Sequence, residues 1–372
     1  MTNAIETPKG KPKKKVRWLM VAASVISLCI GICALAVFFA NISGQPPALT
    51  VAPDCPPGTS PPASGRIAFT SARDGHAEIY IMNADGSDQV RLTHSAVAST
   101  NPSWSADGRT IFFFSESDPT DSNKGALFKM NADGSGQTRL IEIDRYYSYS
   151  ISWSVLPDGK QILFGRGGQI YLANIDGSNE IQISDGENDW NRNSPMWSPD
   201  GKKFAYFSYG LIVANADGSG RMQVSLPGRA TAFSPDGSHI AAYDENVGSE
   251  FNSRNFFVAR SDGTELTKIY PNGGGEPHWS PNGKRIAFID GGLIRILNMD
   301  GSKGMTIGKE GYNIAGDITS TLTWSPDGEW LAFNVSIPNS KSTDIALTKS
   351  TCSGFWKLTS DTVDNYQPIW QP

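Results

Sequence analysis

The stretch Trp324-Ser-Pro-Asp-Gly-Glu-Trp-Leu-Ala-Phe333 joins an aromatic residue, an Asp-Gly turn and a short apolar strand. Asp-Gly between such runs indicates a hairpin, because glycine adopts positive φ freely and Asp tolerates it. The same unit begins, with variations, at Trp104, Trp153, Trp197, Phe233 and Trp279, roughly 45 residues apart, and Trp370-Gln-Pro372 is a truncated last copy. The chain therefore predicts a repeat fold.

Each unit contains two further strand signals. A second Asp-Gly turn ends the next apolar run, as in Ile79–Gly86, and a third run follows, as in Val90–Thr93. Four short antiparallel strands per repeat describe a blade of an all-β propeller. The first copy lacks an inner strand and Gln367–Trp370 is an inner strand without a blade, so the chain end should complete blade 1. Seven blades are predicted; six would follow if the unit at Phe233 were degenerate.

These repeats resemble those of the TolB-like β-propeller family (WD40-like Pro-Asp repeats), whose units read roughly I-A-F, I-Y-x-M-N-x-D-G-S, R-L-T and P-x-W-S-P-D-G. The resemblance covers residues 65–372 and departs at Lys349-Ser-Thr-Cys-Ser-Gly354, where other copies have Asn-x-Asp-Gly-Ser. It implies protein partners in the cell envelope and no particular one, since this fold hosts many functions.

The residues before the repeats predict membrane attachment. Residues 1–17 form a basic tail, and Trp18–Ala40 carries no charge over 23 residues, which is long enough for a transmembrane helix at 18–41. Because the basic residues precede the helix, the N-terminus should be cytoplasmic and the propeller extracytoplasmic, in a single-pass membrane protein. A cleaved signal peptide is the alternative. Residues 42–64 contain seven prolines and predict a semi-rigid linker.

Charge argues against nucleic acid as a partner. The whole chain carries −5, and residues 1–17 contribute six basic residues and one acid, so the remainder carries −10. Affinity for nucleic acid rests on cationic side chains that neutralise phosphates. We therefore do not expect a nucleic-acid partner. The resemblance to the TolB-like family implies instead a protein or peptide partner in the envelope or at the cell surface, with a glycan as the alternative.

The two Asp-Gly turn families should lie on one face of the ring, and the connections of variable length on the other. We call the latter the variable face and predict that it binds the partner, because binding residues concentrate on loops held by a rigid scaffold. Its candidate residues are of types enriched at interfaces, although any ring among them could instead pack between blades. They are Tyr146, Tyr147, Tyr149, Trp190, Arg192, Arg229, Glu276, Tyr312 and Tyr366.

The cysteines predict a disulfide, and the residue types needed for catalysis do not form a recognisable pattern. Cys55 and Cys352 should both lie at the Asp-Gly face in a compartment that permits disulfides, so we expect them to pair, with two unpaired thiols as the alternative. No Gly-x-Ser-x-Gly elbow or histidine spacing typical of a metal site is present, and His278 is expected to pack beside Trp279. We predict no catalytic residue, metal or cofactor and a non-catalytic recognition module. The alternatives are a glycan-binding propeller, or a carbohydrate lyase or hydrolase using His94 or His278 with Glu276.

Overall fold

The computed structural model describes residues 49–117, 124–144, 153–167, 169–184, 195–207, 210–224, 229–243, 254–273, 276–308, 313–314, 321–336, 342–360 and 362–372. Strands and turns make up these ranges, and none of their residues is helical. The predicted tail at 1–17 and the predicted transmembrane helix at 18–41 lie outside the described residues. Within the described part of the chain, the structure has no helix that could cross a membrane.

Seven blades of antiparallel strands account for all but one of the strands. Blade 1 contains β2 (Arg66–Ser71), β3 (Glu78–Asn83), β4 (Val90–Arg91) and β30 (Asn365–Trp370). Blade 2 contains β5 (Ser99–Trp104), β6 (Thr110–Glu116), β7 (Lys124–Asn131) and β8 (Thr138–Asp144). Blade 3 contains β9 (Trp153–Val155), β10 (Gln161–Arg166), β11 (Gln169–Asn174) and β12 (Ile181–Gln182). Blade 4 contains β13 (Met196–Trp197), β14 (Lys203–Phe207), β15 (Leu211–Asn215) and β16 (Met222–Val224).

The remaining blades follow the same order from the inner to the outer strand. Blade 5 contains β17 (Arg229–Phe233), β18 (His239–Tyr243), β19 (Arg254–Arg260) and β20 (Thr267–Gly273). Blade 6 contains β21 (His278–Trp279), β22 (Arg285–Asp290), β23 (Leu293–Asn298) and β24 (Gly304–Ile307). Blade 7 contains an inner strand in two pieces, β25 (Asn313–Ile314) and β26 (Leu322–Trp324), then β27 (Trp330–Ser336), β28 (Thr343–Lys349) and β29 (Phe355–Lys357).

The C-terminal strand completes blade 1. β30 pairs antiparallel with β2, from Ile67 opposite Trp370 to Ser71 opposite Asn365. One blade is thus built from both ends of the repeat region, which removes two free sheet edges. The seven-bladed, all-β prediction is confirmed.

The Asp-Gly turns are held by their own side chains. The Asp200 carboxylate accepts hydrogen bonds from the Ser198 hydroxyl (2.7 Å) and the Lys202 N–H (3.0 Å), and Gly201 has a φ of 68°. In the second turn family, Asp85 accepts a hydrogen bond from the Ser87 N–H at 3.0 Å. Such bonds to the backbone two residues on stabilise the turn locally. They account for the repeated Asp residues.

The hydrophobic core lies between neighbouring blades. One cluster joins Phe69 and Tyr80 of blade 1 to Trp330 and Leu347 of blade 7, and Trp370 of the closing strand belongs to it. The repeated aromatic positions contribute at each boundary: Trp197, Phe233, Trp279 and Trp324 are buried, and Trp104 and Trp153 pack at the edges of their clusters. The middle strands of the blades are therefore covered on both faces and contain near-continuous apolar runs, such as Ile67–Phe69 and Ile79–Met82.

The segment before the repeats differs from the expected spacer. β1 (Leu49–Val51) pairs in parallel with β24 at the outer edge of blade 6, and Cys55 forms a disulfide with Cys352 of blade 7 (Cα–Cα 4.9 Å). The proline content at 42–64 predicted a semi-rigid linker, joined to the ring through Cys55. From Leu49 onward it is instead laid on the propeller, because hydrogen bonds to β24 satisfy the extended backbone there.

Candidate functional site

The inner strands surround a cavity on the axis of the ring. Its volume is about 690 Å³, within the range of small-molecule and peptide sites. All seven blades contribute residues to its wall, as follows: Asn101, Pro102, Ser103, Trp104, Trp153, Ser154, Val155, Pro199, Ala232, Phe233, Pro235, His278, Trp279, Pro281, Thr321, Leu322, Thr323, Trp324, Gln367, Pro368 and Ile369. These described lining residues are neutral at pH 7.

Indole-to-carbonyl hydrogen bonds tie adjacent inner strands together. The Trp279 Nε1–H donates to the Ala232 carbonyl at 3.2 Å, and the Trp324 Nε1–H donates to the His278 carbonyl at 3.1 Å. Trp104 donates in the same way to Ile369 at 3.2 Å, across the junction between blades 2 and 1. In each case the acceptor is the residue just before the aromatic position of the previous blade. The repeated Trp thus packs between blades and fixes the cavity wall.

Two amide side chains lie at matching bulges on neighbouring inner strands. Asn101 and Gln367 each precede a proline, and their φ values are 58° and 56°. The left-handed region is uncommon for residues other than glycine and more costly for Gln than for Asn, and backbone strain of this kind is often found at binding sites. The Gln367 Oε1 accepts hydrogen bonds from the Asn101 N–H and the Thr70 hydroxyl, both at 2.9 Å. This network directs the carbonyl end of the Gln367 amide toward the protein.

Buried polar atoms without partners also face this region. Among the described residues, neither Asn101 Oδ1 nor Thr321 Oγ1 has a hydrogen-bond partner, and both residues line the cavity. Buried polar atoms usually find a partner from protein or ordered water. Hydrogen-bonding groups from a bound molecule or water would satisfy them.

His278 contributes an uncharged imidazole. Burial lowers its pKa to about 4, because removal from water disfavours the charged ring. It is therefore neutral at physiological pH and can offer both a donor and an acceptor. The sequence predicted a packing role for this residue, with a catalytic role beside Glu276 as the alternative.

A family model for the TolB beta propeller domain matches residues 39–191 and 165–372. The chain belongs to this family. It is 41% identical over 54 residues to the Tol-Pal system protein TolB of Syntrophotalea carbinolica, covering 14% of this chain and 13% of that protein. It is 28% identical over 163 residues to an uncharacterised protein of Agrobacterium fabrum, covering 40% of this chain and 53% of that protein. The matches thus span about half or less of these relatives.

Solved structures show the same fold. TolB from Acinetobacter baumannii has a TM-score of 0.51 at 17% identity, covering 83% of this chain and 67% of that one. Oligogalacturonate lyase from Vibrio parahaemolyticus has a TM-score of 0.59 at 13% identity, covering 82% of this chain and 90% of that one. At these identities the likeness concerns the fold alone.

The predicted binding residues of this TolB-family propeller are only partly described. Glu276 is exposed just before β21, and Tyr366 lies half-buried in β30 opposite Thr70, both at inner-strand entrances. Arg229 begins β17, and only its backbone is described. The others lie outside the described residues: Tyr146, Tyr147, Tyr149, Trp190, Arg192 and Tyr312.

Asn101 and Gln367 are the residues that the sequence reasoning missed. Their signal was an X-Pro pair shortly before the inner-strand aromatic, visible in Asn101-Pro102 and Gln367-Pro368. The residue before a proline is usually extended, so the pair gives no sign of a left-handed bulge.

A charged cluster beneath the variable face has a structural explanation. Glu78 is fully buried; its carboxylate accepts hydrogen bonds from Arg91 (2.7 Å), from the Ser95 N–H (3.1 Å) and from the Thr93 hydroxyl. The Thr93 hydroxyl also accepts the Ile79 N–H at 2.9 Å. This arrangement links the third strand of blade 1 to its outer strand.

The same link recurs with other chemistry in two further blades. Blade 3 uses the neutral pair Gln169 and Ser184 (2.6 Å), and blade 7 uses Asp344 with Thr359 (2.9 Å) and Lys357 (2.7 Å). Because this side-chain hydrogen bonding recurs in three blades, its role is to connect the third strand of a blade to the outer strand. Among the described residues, no group of three His, Cys, Asp or Glu side chains could hold a metal ion.

Proposed function

We propose that this TolB-family propeller is a recognition module that binds a protein or peptide partner through its variable face at the mouth of the axial cavity. The observation that carries the proposal is the pair of strained amides, Asn101 and Gln367, beside an unpartnered oxygen in a neutral wall. Peptide groups present alternating donors and acceptors without charge, which matches this wall.

The location of the module is part of the proposal. The basic tail at 1–17 and the uncharged run at 18–41 support a single membrane span with the propeller outside the cytoplasm. The Cys55–Cys352 disulfide supports an oxidising compartment. A relative is described as a protein of the Tol-Pal system, and this supports a partner in the cell envelope.

The test is capture of envelope proteins by the full chain in detergent micelles. Wild type is compared with the Tyr147→Ala, Trp190→Ala, Arg229→Ala variant and with Lys202→Ala, whose exposed side chain lies at an Asp-Gly turn. We expect a defined protein to be retained by wild type and Lys202→Ala and lost by the triple variant. A photo-crosslinking residue at Glu276 should label the same protein.

Two outcomes contradict the proposal. If the triple variant retains the same proteins as wild type, the variable face is not the binding face. If no protein is retained while oligosaccharides bind or are cleaved, the module recognises or processes glycans.

A further inference from the structure

Residues 49–55, which we call the strap, have every third side chain buried or half-buried against the propeller. Leu49, Ala52 and Cys55 face the ring, whereas the four residues between them are exposed, and Val51 is 84% exposed. The strap therefore presents a simple pattern to the ring: an apolar residue, a small residue and a cysteine.

The surface under the strap is shaped for this pattern. A Cβ at Gly304 would lie 2.1 Å from Leu49 Cδ2, and a Cβ at Gly354 would lie 2.9 Å from Cys55 Sγ. Ala52 is buried in the cluster that contains Ile307 and Phe355. A larger residue at either glycine would crowd the strap and also a propeller side chain, Leu297 at Gly304 and Trp356 at Gly354. We call the surface formed by Gly304–Gly308 and Ser353–Gly354 the strap groove.

Backbone hydrogen bonds guide the chain between these points. The Ala52 N–H donates to the Thr306 carbonyl at 2.9 Å, and the Ser353 N–H donates to the Pro53 carbonyl at 2.7 Å. The Thr50 hydroxyl donates to the Gly304 carbonyl at 3.1 Å. The strap is thus added as a strand to the outer edge of blade 6, and strand addition of this kind is a recurrent mode of peptide recognition.

The strap groove is built without the strap. Blade 6 has its four strands in β21–β24, and blade 7 has its own in β25–β29, so β1 is added to completed sheets. The parallel pairing covers three residues. Residues 56–65 join the strap to β2, and ten extended residues reach about 33 Å, enough to place it on a neighbouring molecule.

From these observations we propose that the strap groove is a peptide-docking site that accepts the strap of a second copy of this chain. Exchange of an identical element keeps every contact and needs no new surface. The incoming copy is one whose own Cys55–Cys352 bond has not yet formed, so its Cys55 is a free thiolate. This thiolate attacks Cys352 Sγ of the first copy, the bond between Cys352 and the resident Cys55 breaks, and the resident Cys55 leaves as a thiolate. The product is a disulfide between two copies, with no net oxidation.

Two complementary full chains in detergent test the proposal, each with Cys29→Ala and Cys33→Ala. The acceptor carries Leu49→Asp and Cys55→Ser, and its Cys352 is loaded with an aromatic thiol that is coloured when released. The donor carries Cys352→Ser and Gly304→Val, so that its strap has no groove of its own. The control donor carries Leu49→Asp in addition and keeps the same thiol.

We expect the donor to release the coloured thiol and form a Cys55–Cys352 heterodimer about tenfold or more faster than the control donor, because Leu49 burial drives docking. The heterodimer is read on a non-reducing gel and its cross-linked peptide by mass spectrometry. Equal rates for the two donors would mean random thiol encounter and overturn the proposal. The proposal would also be overturned if the aromatic thiol could not be attached to Cys352 of the acceptor, because the groove would then be closed in the absence of its strap.

Discussion

The propeller is held together at two joints of different kinds. In blade 1, β30 is the inner strand, pairs with β2 along its length and places Trp370 in the core. At blades 6 and 7, the strap lies on finished sheets and is fixed by three paired residues and one disulfide. At the first joint β30 supplies the missing strand of blade 1, whereas at the second the strap is added to blades that already have all their strands. We therefore expect the first to decide whether the ring folds and the second to decide how stable it is.

Removal of β30 should have the largest effect. A chain that ends at Asp364 leaves blade 1 without its inner strand and exposes the cluster around Phe69 and Tyr80, so we expect loss of cooperative folding. The matched control ends at Trp370, which removes Gln371 and Pro372 with the two Gln371 hydrogen bonds, from its N–H to the Arg66 carbonyl and from its side chain to the Gly108 carbonyl. Thermal unfolding followed by circular dichroism distinguishes the two. A cooperative transition in the shorter chain would show that closure is dispensable.

Removal of the disulfide should have a smaller effect. Cys55→Ser opens a link between residues 297 positions apart, and we expect a loss of roughly 3–5 kcal/mol in the free energy of unfolding. The measurement is urea denaturation of the full chain, with Cys29→Ala as the control. A thiol assay on wild type should find no reactive group at Cys55 or Cys352. An unchanged midpoint for Cys55→Ser would place the strap outside the cooperative unit.

The apolar contact of the strap should contribute less again. Leu49→Ala removes the side chain seated over Gly304, with an expected cost of about 1–2 kcal/mol for a half-buried leucine. Val51→Ala is the control, because that side chain is 84% exposed and should leave the stability unchanged. Equal losses for the two variants would indicate that the strap is held by its backbone alone.

The smallest effect is expected at an Asp-Gly turn, which belongs to neither joint. A hydrogen bond from the Ser234 hydroxyl, and then one from the Ser238 N–H, lower the pKa of Asp236 from 3.8 to about 2. A lowered pKa stabilises the fold above the unfolded value, and that stability is lost as the pH falls from about 4 to 2. Asp236→Asn should reduce this pH dependence by less than about 1 kcal/mol, because solvent screens the group. Acid titration monitored by tryptophan fluorescence checks this, and a larger change would reveal a role beyond the turn.

The sequence was most informative where the repeat applies. The aromatic position, the two turns and the unpaired Gln367–Trp370 segment follow from hydrophobic alternation and glycine conformation, so blade number and closure could be predicted. Departures from the repeat could not. The bulges at Asn101 and Gln367 depend on contacts with Thr70 and with each other, which lie far apart in the chain.

The strap shows a second limit of sequence reasoning. Seven prolines in residues 42–64 fit a free linker equally well, and three residues of parallel pairing leave no alternation to detect. The spacing of Leu49, Ala52 and Cys55 acquires meaning only beside Gly304 and Gly354, which other blades do not share. Of the candidate binding residues, Glu276 and Tyr366 lie at inner-strand entrances, and their role in binding stays a prediction.

The Cys55–Cys352 bond determines what happens when a protease cuts the chain once. Together with the backbone it forms a covalent circuit that contains nearly the whole ring. A protease that cuts one connection on the variable face between these cysteines opens the circuit but releases no fragment. The nicked molecule stays one covalent unit, because the disulfide still joins the two pieces on either side of the cut.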